Sequence, residues 1–231
     1  MKCKRILASF LTLAMLAGCS SDQTGQAGTD TEEKTEEKTE EKTEEKTEET
    51  AAGLGPLFER GVIDGQSYSN ATFGFRADFS NEWVLSSDAD IATMSQQTSE
   101  AITDETAKEK IEDGSAVLDF YAQNPRSGAT VNVYLEDTGV ADIDIEKVIP
   151  FNIKAIENEL ANQEFENVAV ETETMEFLGD SVSGIKVTAT YAGLDFYERQ
   201  VYVVSGRNLA CITASSFYED TTQDVLNIFT K

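Results

Sequence analysis

The chain of 231 residues contains three cysteines and no histidine. Without an imidazole, the Ser-His-Asp and Cys-His arrangements of nucleophilic catalysis and the common zinc sites are excluded. Cys211 lies among apolar neighbours in residues 209–212, and no histidine is present to raise its thiolate fraction. We therefore expect a buried structural thiol, with a redox or nucleophilic cysteine as the alternative.

Carboxylates are the abundant ionisable groups, with 43 aspartates and glutamates in the chain. Two pairs, Asp88 with Asp90 and Asp142 with Asp144, come nearest to clustered oxygen ligands for calcium. Neither pair lies in an EF-hand loop, which needs an internal glycine and a final glutamate. We expect these acids at helix starts or in solvent. A carboxylate-dependent envelope hydrolase and a calcium-responsive binding domain are the alternatives.

A set of aromatic residues near the C-terminus is the third candidate for chemistry, because such side chains line sugar and peptide grooves. Their strand-like spacing favours positions in the core and on sheet faces. The set comprises Phe196, Tyr197, Tyr202, Phe217 and Tyr218.

The N-terminus has the features of an export signal. Lys2, Lys4 and Arg5 precede an apolar run over residues 6–16, and small residues follow before Cys19. The run is shorter than the roughly 20 residues needed to span a bilayer as a helix. We therefore predict that this segment directs export and is then removed.

The segment Leu16-Ala17-Gly18-Cys19 resembles the lipobox of bacterial lipoproteins. The resemblance implies that residues 1–18 are a signal peptide, and that Cys19 receives diacylglycerol on its sulfur and becomes the mature N-terminus. Acyl chains such as palmitate anchor a protein because each buried CH₂ contributes about 0.8 kcal/mol. Cys19 is the predicted lipid-attachment site, on the extracytoplasmic face of the cell membrane.

Residues 31–46 are four copies of Thr-Glu-Glu-Lys. A period of four places like charges at i and i+4, as with Glu32 and Glu36, which opposes a single helix. The segment also lacks apolar residues that could form a core, so residues 19–55 are predicted to be a lipidated, disordered, acidic tether.

The charge of the chain excludes one large class of partners. The formal net charge is -25 at pH 7, and residues 51–231 contain 31 acidic and 11 basic residues. Nucleic-acid affinity comes mainly from lysines and arginines that neutralise phosphates, so nucleic-acid binding is not expected. Anionic lipid would also repel this part of the chain.

Residues 56–231 are predicted to form one α+β domain, an antiparallel β-sheet meander with helices packed on it. Apolar alternation predicts a strand at 73–79, and a recurrence of isoleucines at three or four residues predicts a helix over 145–160, with Pro150 at its start or at a kink. Further strands are predicted at 117–121, 130–136, 167–178, 183–191, 196–204 and 208–215, and further helices from 86–88, over 99–113 and over 225–229.

Within this domain, Tyr68-Ser69-Asn70, Phe73-Gly74-Phe75 and Trp83 resemble the opening of PsbP-like domains. Many relatives have a proline before the tryptophan, where this chain has Ser80-Asn81-Glu82. The resemblance implies an α/β/α sandwich and an accessory or binding role on a larger assembly, with no active site to transfer.

These features predict a membrane-anchored extracytoplasmic lipoprotein whose head is a non-enzymatic binding or accessory module. Its expected partners are the bilayer, through the lipid on Cys19, and an envelope protein. No cofactor or metal is expected.

Overall fold

The computed structural model describes residues 58–101, 105–141 and 143–231, and this part of the chain holds eleven strands and four helices. In chain order the elements are β1 (Val62–Asp64), β2 (Ser67–Asn70), β3 (Phe75–Asp78), β4 (Val84–Leu85), α1 (Asp88–Ala101), α2 (Glu105–Glu112), β5 (Ala116–Asn124), β6 (Ala129–Asp137), α3 (Ile145–Asn162), β7 (Phe165–Phe177), β8 (Asp180–Tyr191), β9 (Leu194–Ser205), β10 (Asn208–Phe217), α4 (Thr222–Leu226) and β11 (Phe229–Thr230).

The larger sheet has seven antiparallel strands in the order β4-β5-β6-β10-β9-β8-β7. Strands β7 to β10 form the predicted run of hairpins. Gly193 and Gly206 occupy tight turns between them with φ of 80° and 62°, a conformation that glycine adopts without steric cost. Strand β10 then pairs with β6 rather than extending the run, so the two hairpin systems join at the centre of the sheet.

The smaller sheet has four strands in the order β1-β2-β3-β11, and neighbouring strands are antiparallel. It brings the first described strands together with the C-terminus, because Phe229 of β11 pairs with Ala77 of β3. Helix α4 ends at Leu226, and Asn227 follows it in a cap whose backbone N–H bonds back into the helix. The helix therefore begins and ends three residues earlier than the predicted span 225–229, and Phe229 lies in β11.

Two cores hold the layers together. The first lies between the two sheets and includes Phe75 and Phe79 from the small-sheet side and Val131 and Ile212 from the large sheet. The second lies on the other face of the large sheet, where apolar residues of α1, α2 and α3 pack on it. Burying these side chains contributes about 1.5–3 kcal/mol for each large apolar residue.

The expected fold class, an α+β PsbP-like α/β/α sandwich, is wrong. The fold is predominantly β: two antiparallel sheets share a core, and helices α1 to α3 cover only the outer face of the large sheet. The aromatic residues near β3 caused the difference. Phe75 and Phe79 pack against Phe229 of β11, and Phe229 packs against Phe177 of the large sheet. A second sheet therefore covers the inner face, where the expected fold has helices.

No helix in the described residues is long and apolar enough to cross a membrane. The predicted signal peptide 1–18, Cys19 and the predicted tether 19–55 all lie outside the described residues.

Candidate functional site: a groove between two sheet edges

A groove of about 560 Å³ opens on the surface of the head. One wall comes from the β1–β2 hairpin, with Ile63, Gly65 and Gln66. The other comes from residues 83–88, which contain β4 and the start of α1. Strand β1 is an edge of the small sheet and β4 is an edge of the large sheet, so the groove lies between two open sheet edges.

The hairpin geometry fixes the direction of the backbone groups of Ile63. Val62, Ile63 and Asp64 pair with Ser69, Tyr68 and Ser67, and the two-residue loop begins with Gly65 at φ 60°. In such a hairpin the pair next to the loop exchanges hydrogen bonds and the following pair does not. The N–H and C=O of Ile63 are therefore directed away from β2, toward the open edge.

The same alternation applies to β4. The backbone N–H of Ser86 donates to the C=O of Tyr121 at 3.0 Å, so Ser86 faces β5. Leu85, one residue earlier, directs its N–H and C=O to the open edge. Trp83 has the same orientation as Leu85, and its C=O accepts a hydrogen bond from the Gln66 side chain at 3.2 Å. This contact connects the two walls of the groove.

The surface of the groove combines apolar contact area with negative charge. Trp83 is buried at its base, Leu85 is half-buried and Val84 is 52% exposed. Asp88 lines the groove and is exposed. Among the described residues that line it, none is basic. The groove is therefore suited to an apolar group with an adjoining cation.

Asp90 completes the start of α1 beside the groove. Its carboxylate accepts hydrogen bonds from the backbone N–H of Ser87 at 3.1 Å and from the Ser87 hydroxyl at 2.7 Å, while its own N–H donates to the Ser87 hydroxyl at 3.3 Å. This is a reciprocal cap of the helix terminus. The hydrogen bonds from Ser87 hold the pKa of Asp90 below its usual value, so its charge persists at neutral pH.

The wider surface has few available cations. In the described part of the chain, ten of the eleven basic side chains form ion pairs with carboxylates. The acids outnumber them by 20 over residues 51–231. The lysines and arginines of the head therefore neutralise only a part of its negative charge.

A buried carboxylate fastens the chain just before β1. Asp119 lies on β5, at the point where the pairing with β6 shifts register, and its side chain is fully buried. It accepts hydrogen bonds from the Arg60 Nε at 3.0 Å, the Gly61 N–H at 2.8 Å, the Tyr68 hydroxyl at 2.7 Å and the Asn70 amide at 3.2 Å. Burial, together with the adjacent Asp119 carboxylate, raises the pKa of Tyr68 far above its usual value. The start of the head is thereby fixed next to the groove.

A second polar cluster lies between α3 and the large sheet. Glu198 is fully buried and accepts hydrogen bonds from Gln200 at 2.8 Å and Ser215 at 3.2 Å. Gln200 in turn accepts from Tyr202 at 3.0 Å. Burial, with the nearby charge of Glu198, raises the pKa of Glu159 to about 8, so Glu159 is mostly protonated at neutral pH. Neither Glu159 nor Glu198 lines either of the two surface grooves.

A smaller groove of about 350 Å³ lies beside Arg199. The Arg199 guanidinium donates to Glu173 at 2.7 Å and to Asp220 at 2.6 Å. These bonds connect β9 to β7 and to the segment before α4, which is a structural role.

The candidates predicted from sequence have the following positions. Cys211 is buried, as predicted, and burial raises its thiol pKa to about 12. Asp144 accepts from Lys147 at 2.7 Å at the start of α3, and Asp142 lies outside the described residues. No group of three or more cysteines, aspartates or glutamates in the described chain is arranged to hold a metal ion.

The aromatic set is divided between the core and the surface. Phe196 and Tyr202 are buried, as strand periodicity predicts, and Phe196 packs against Phe165 and the half-buried Phe217. Tyr218 is exposed. The set does not form a common groove, since none of its members lines either of the two described.

The residues of the groove between β1 and β4 were not identified from the sequence as a site. Two signals were present: the only tryptophan of the chain, and the short apolar segment Val84–Leu85 directly after it. Neither signal indicates on its own that two sheet edges meet there.

Comparison with known proteins gives little further information. No family model matches the chain, so the resemblance to PsbP-like domains has no support from a family match. No curated protein matches the chain either. Among solved structures the chain is similar to LpqN, described as involved in cell envelope biogenesis of Mycobacterium tuberculosis. The identity is 14%, the match covers 68% of this chain and 82% of that chain, and the TM-score is 0.36. A likeness of this size carries no functional argument.

Proposed function

We propose that this protein is a lipid-anchored extracytoplasmic lipoprotein whose head is a non-enzymatic binding module for an envelope protein, and that the groove between β1 and β4 is its contact surface. The observation that carries the proposal is the position of the groove. Its first wall, β1, begins at Val62, directly after Arg60 and Gly61 are fastened to Asp119.

This position relates the groove to the proposed anchor. The proposed lipid on Cys19 connects through residues 20–57 to the same end of the head. We expect a partner at the membrane surface to be within reach of the groove, because the tether predicted from the sequence would have a root-mean-square span on the order of 30 Å.

The chemistry of the head is more consistent with binding than with turnover. The strongly buried acids that we describe are engaged in internal hydrogen bonds or ion pairs, as with Asp119 and Asp137. Exposed acids such as Asp78 and Glu82 form ion pairs with arginines. A binding module needs only the open edges and the apolar floor that the groove provides.

The anchoring part of the proposal is tested by blocking lipoprotein maturation. Globomycin is expected to cause the precursor to accumulate, and Cys19→Ser is expected to release the protein from the membrane fraction. A Cys19→Ser variant that stays membrane-bound, with processing unaffected by globomycin, would contradict anchoring.

The binding part is tested by photo-crosslinking in cells. A benzophenone amino acid is placed at Val84 in the groove and, as the matched control, at Val140, which has similar exposure but lies in the loop after β6. We expect one envelope protein, identified by mass spectrometry, to be captured from position 84 and not from position 140. Equal capture from both positions would contradict the groove as the contact surface.

A further inference from the structure

We infer that the groove takes an extended, lysine- or arginine-rich segment of its partner protein, which adds as a strand to the open edge of β1. This inference rests on the proposed function and specifies how the groove binds. An extended segment can hydrogen-bond to an exposed sheet edge through its backbone, while alternate side chains enter neighbouring pockets.

The backbone of Ile63 supplies the edge. Its N–H and C=O are directed away from β2, as the pairing of Ile63 with Tyr68 requires. Strand β1 has three residues, so pairing extends over roughly 10 Å. The hydrogen bonds from Arg60 and Gly61 to Asp119 keep this edge in place before the partner arrives, which lowers the ordering cost of binding.

The floor of the groove selects the side chains that point inward. Trp83 and Leu85 offer an apolar contact surface of limited depth. A β-branched side chain such as valine suits it, because such side chains pack well against pleated surfaces. The side chains of the added strand that flank this residue point the other way, toward solvent and the rim.

The rim selects positive charge. Asp88 lines the groove, and Asp64 and Asp90 are exposed beside it. These three carboxylates outweigh the half-charge of the α1 N-terminus, which is positive. Since nearly all basic side chains of the head are already in ion pairs, a basic partner meets little repulsion.

The opposite edge of the large sheet, β7, is less suited to strand addition. Its exposed positions include Glu166, Glu171 and Glu176, and its pairing with β8 shifts register after Glu166. Charged side chains and bulges on an edge strand hinder pairing with another chain. Strand β1 lies beside the apolar side chains of Trp83 and Leu85, so it offers both backbone and side-chain contacts.

The test uses the full chain extracted in detergent and a synthetic seven-residue peptide in which lysines alternate with valines. Trp83 is the only tryptophan, so its fluorescence reports directly on the groove. We expect saturable binding with a change in Trp83 emission, and slower hydrogen exchange at the Ile63 amide. Replacing the lysines with glutamates is expected to abolish binding, and raising the salt concentration is expected to weaken it.

Two comparisons separate strand addition from other modes. A peptide with alternate backbone nitrogens methylated keeps its side chains and charge but loses edge donors; we expect it to bind about tenfold more weakly. Val84→Lys places a cation in the groove and is expected to weaken binding by about the same factor. Val140→Lys makes the same change at a similarly exposed position elsewhere, and is expected to leave binding unchanged.

Four results would overturn the inference: no change in Trp83 emission, equal binding of the methylated peptide, protection of β7 amides in place of Ile63, or a concentration-dependent dimer that Val84→Lys abolishes. The last would mean that a second copy occupies the groove. Each is distinguishable from failure of the proposed function, because photo-crosslinking from position 84 in cells does not depend on the peptide. If a partner is captured in cells but the peptide does not bind, the proposed binding module would be retained and strand addition to β1 would be rejected.

Discussion

Replacement of Asp119 by asparagine tests whether the buried carboxylate holds the start of the head in place. Three donors converge on its Oδ2: the Gly61 N–H, the Tyr68 hydroxyl and the Asn70 amide. In the Asp119→Asn variant the shape is retained but the acceptor is neutral. The remaining oxygen can face these three donors, but the new NH₂ then faces the Arg60 Nε, so the variant removes the charge and the hydrogen bond from Arg60 together.

The magnitude follows from these bonds. Hydrogen bonds to a charged group contribute about 1 kcal/mol more than neutral ones, which gives about 3 kcal/mol for three donors. The Arg60 side chain is 49% exposed, so loss of its ion pair adds little because solvent screens it. For a domain of this size, about 3 kcal/mol corresponds to a fall of about 6–12 °C in the thermal midpoint.

The assay is urea and thermal unfolding followed by circular dichroism at pH 7. Asp180→Asn is the matched control, because Asp180 pairs with Lys231 on the exposed surface and its loss is expected to leave the midpoint unchanged. A Tyr68→Phe variant, combined with Asp119→Asn in a double-mutant cycle, is expected to show a coupling energy of about 1 kcal/mol. A midpoint within 2 °C of the parent for Asp119→Asn, or additivity in the cycle, would refute this account.

Three further outcomes are expected. The pKa of Glu159 is raised to about 8 in the folded state from the usual 4.5, so the folded state holds a proton that the unfolded state releases. This stabilisation is complete below pH 4.5 and is lost as the pH rises toward 8. Glu159→Gln should therefore make the unfolding free energy less dependent on pH between about 5 and 8, measured by urea titration at each pH, and an unchanged pH dependence would contradict this account. Gly61→Ala should lower stability by about 1–3 kcal/mol in the same assay, because a Cβ there would lie 2.3 Å from the Tyr68 ring and 2.8 Å from the Asp119 carboxylate; a neutral effect would mean that both neighbours yield freely. Cys211 should react with iodoacetamide only after denaturation, as followed by mass spectrometry, because burial raises its pKa to about 12; rapid labelling of the folded protein would restore the reactive-thiol alternative.

The sequence predicted best those elements in which a regular hydrophobic pattern continues over many residues. The four strands from β7 to β10 and the helix α3 were predicted close to their observed bounds, because each has a sustained period of two or of three to four residues. Helix α1 was predicted from its cap, and Ser87 and Asp90 do form that cap. Local signals were sufficient for these elements.

The small sheet was not predicted as a sheet. Its strands have two to four residues, which is too short for a period to be legible, and β3 pairs with β11 across about 150 residues of chain. The interpretation of residues 73–79 as one more strand of a meander failed for this reason. The groove was missed with it, because one of its walls is the edge of that sheet.

The same arrangement of charge supports both the fold and the proposed binding mode. Ion pairs such as Arg207 with Asp137 and Arg60 with Asp119 use the positive charges of the head to satisfy buried carboxylates. Acids still outnumber bases by 20 over residues 51–231, so the head keeps a net negative charge that repels anionic surfaces. A partner that neutralises Asp88 and its neighbours therefore gains an attraction that an acidic or neutral segment lacks, and this difference, rather than the area of the shallow groove, would determine which segment binds.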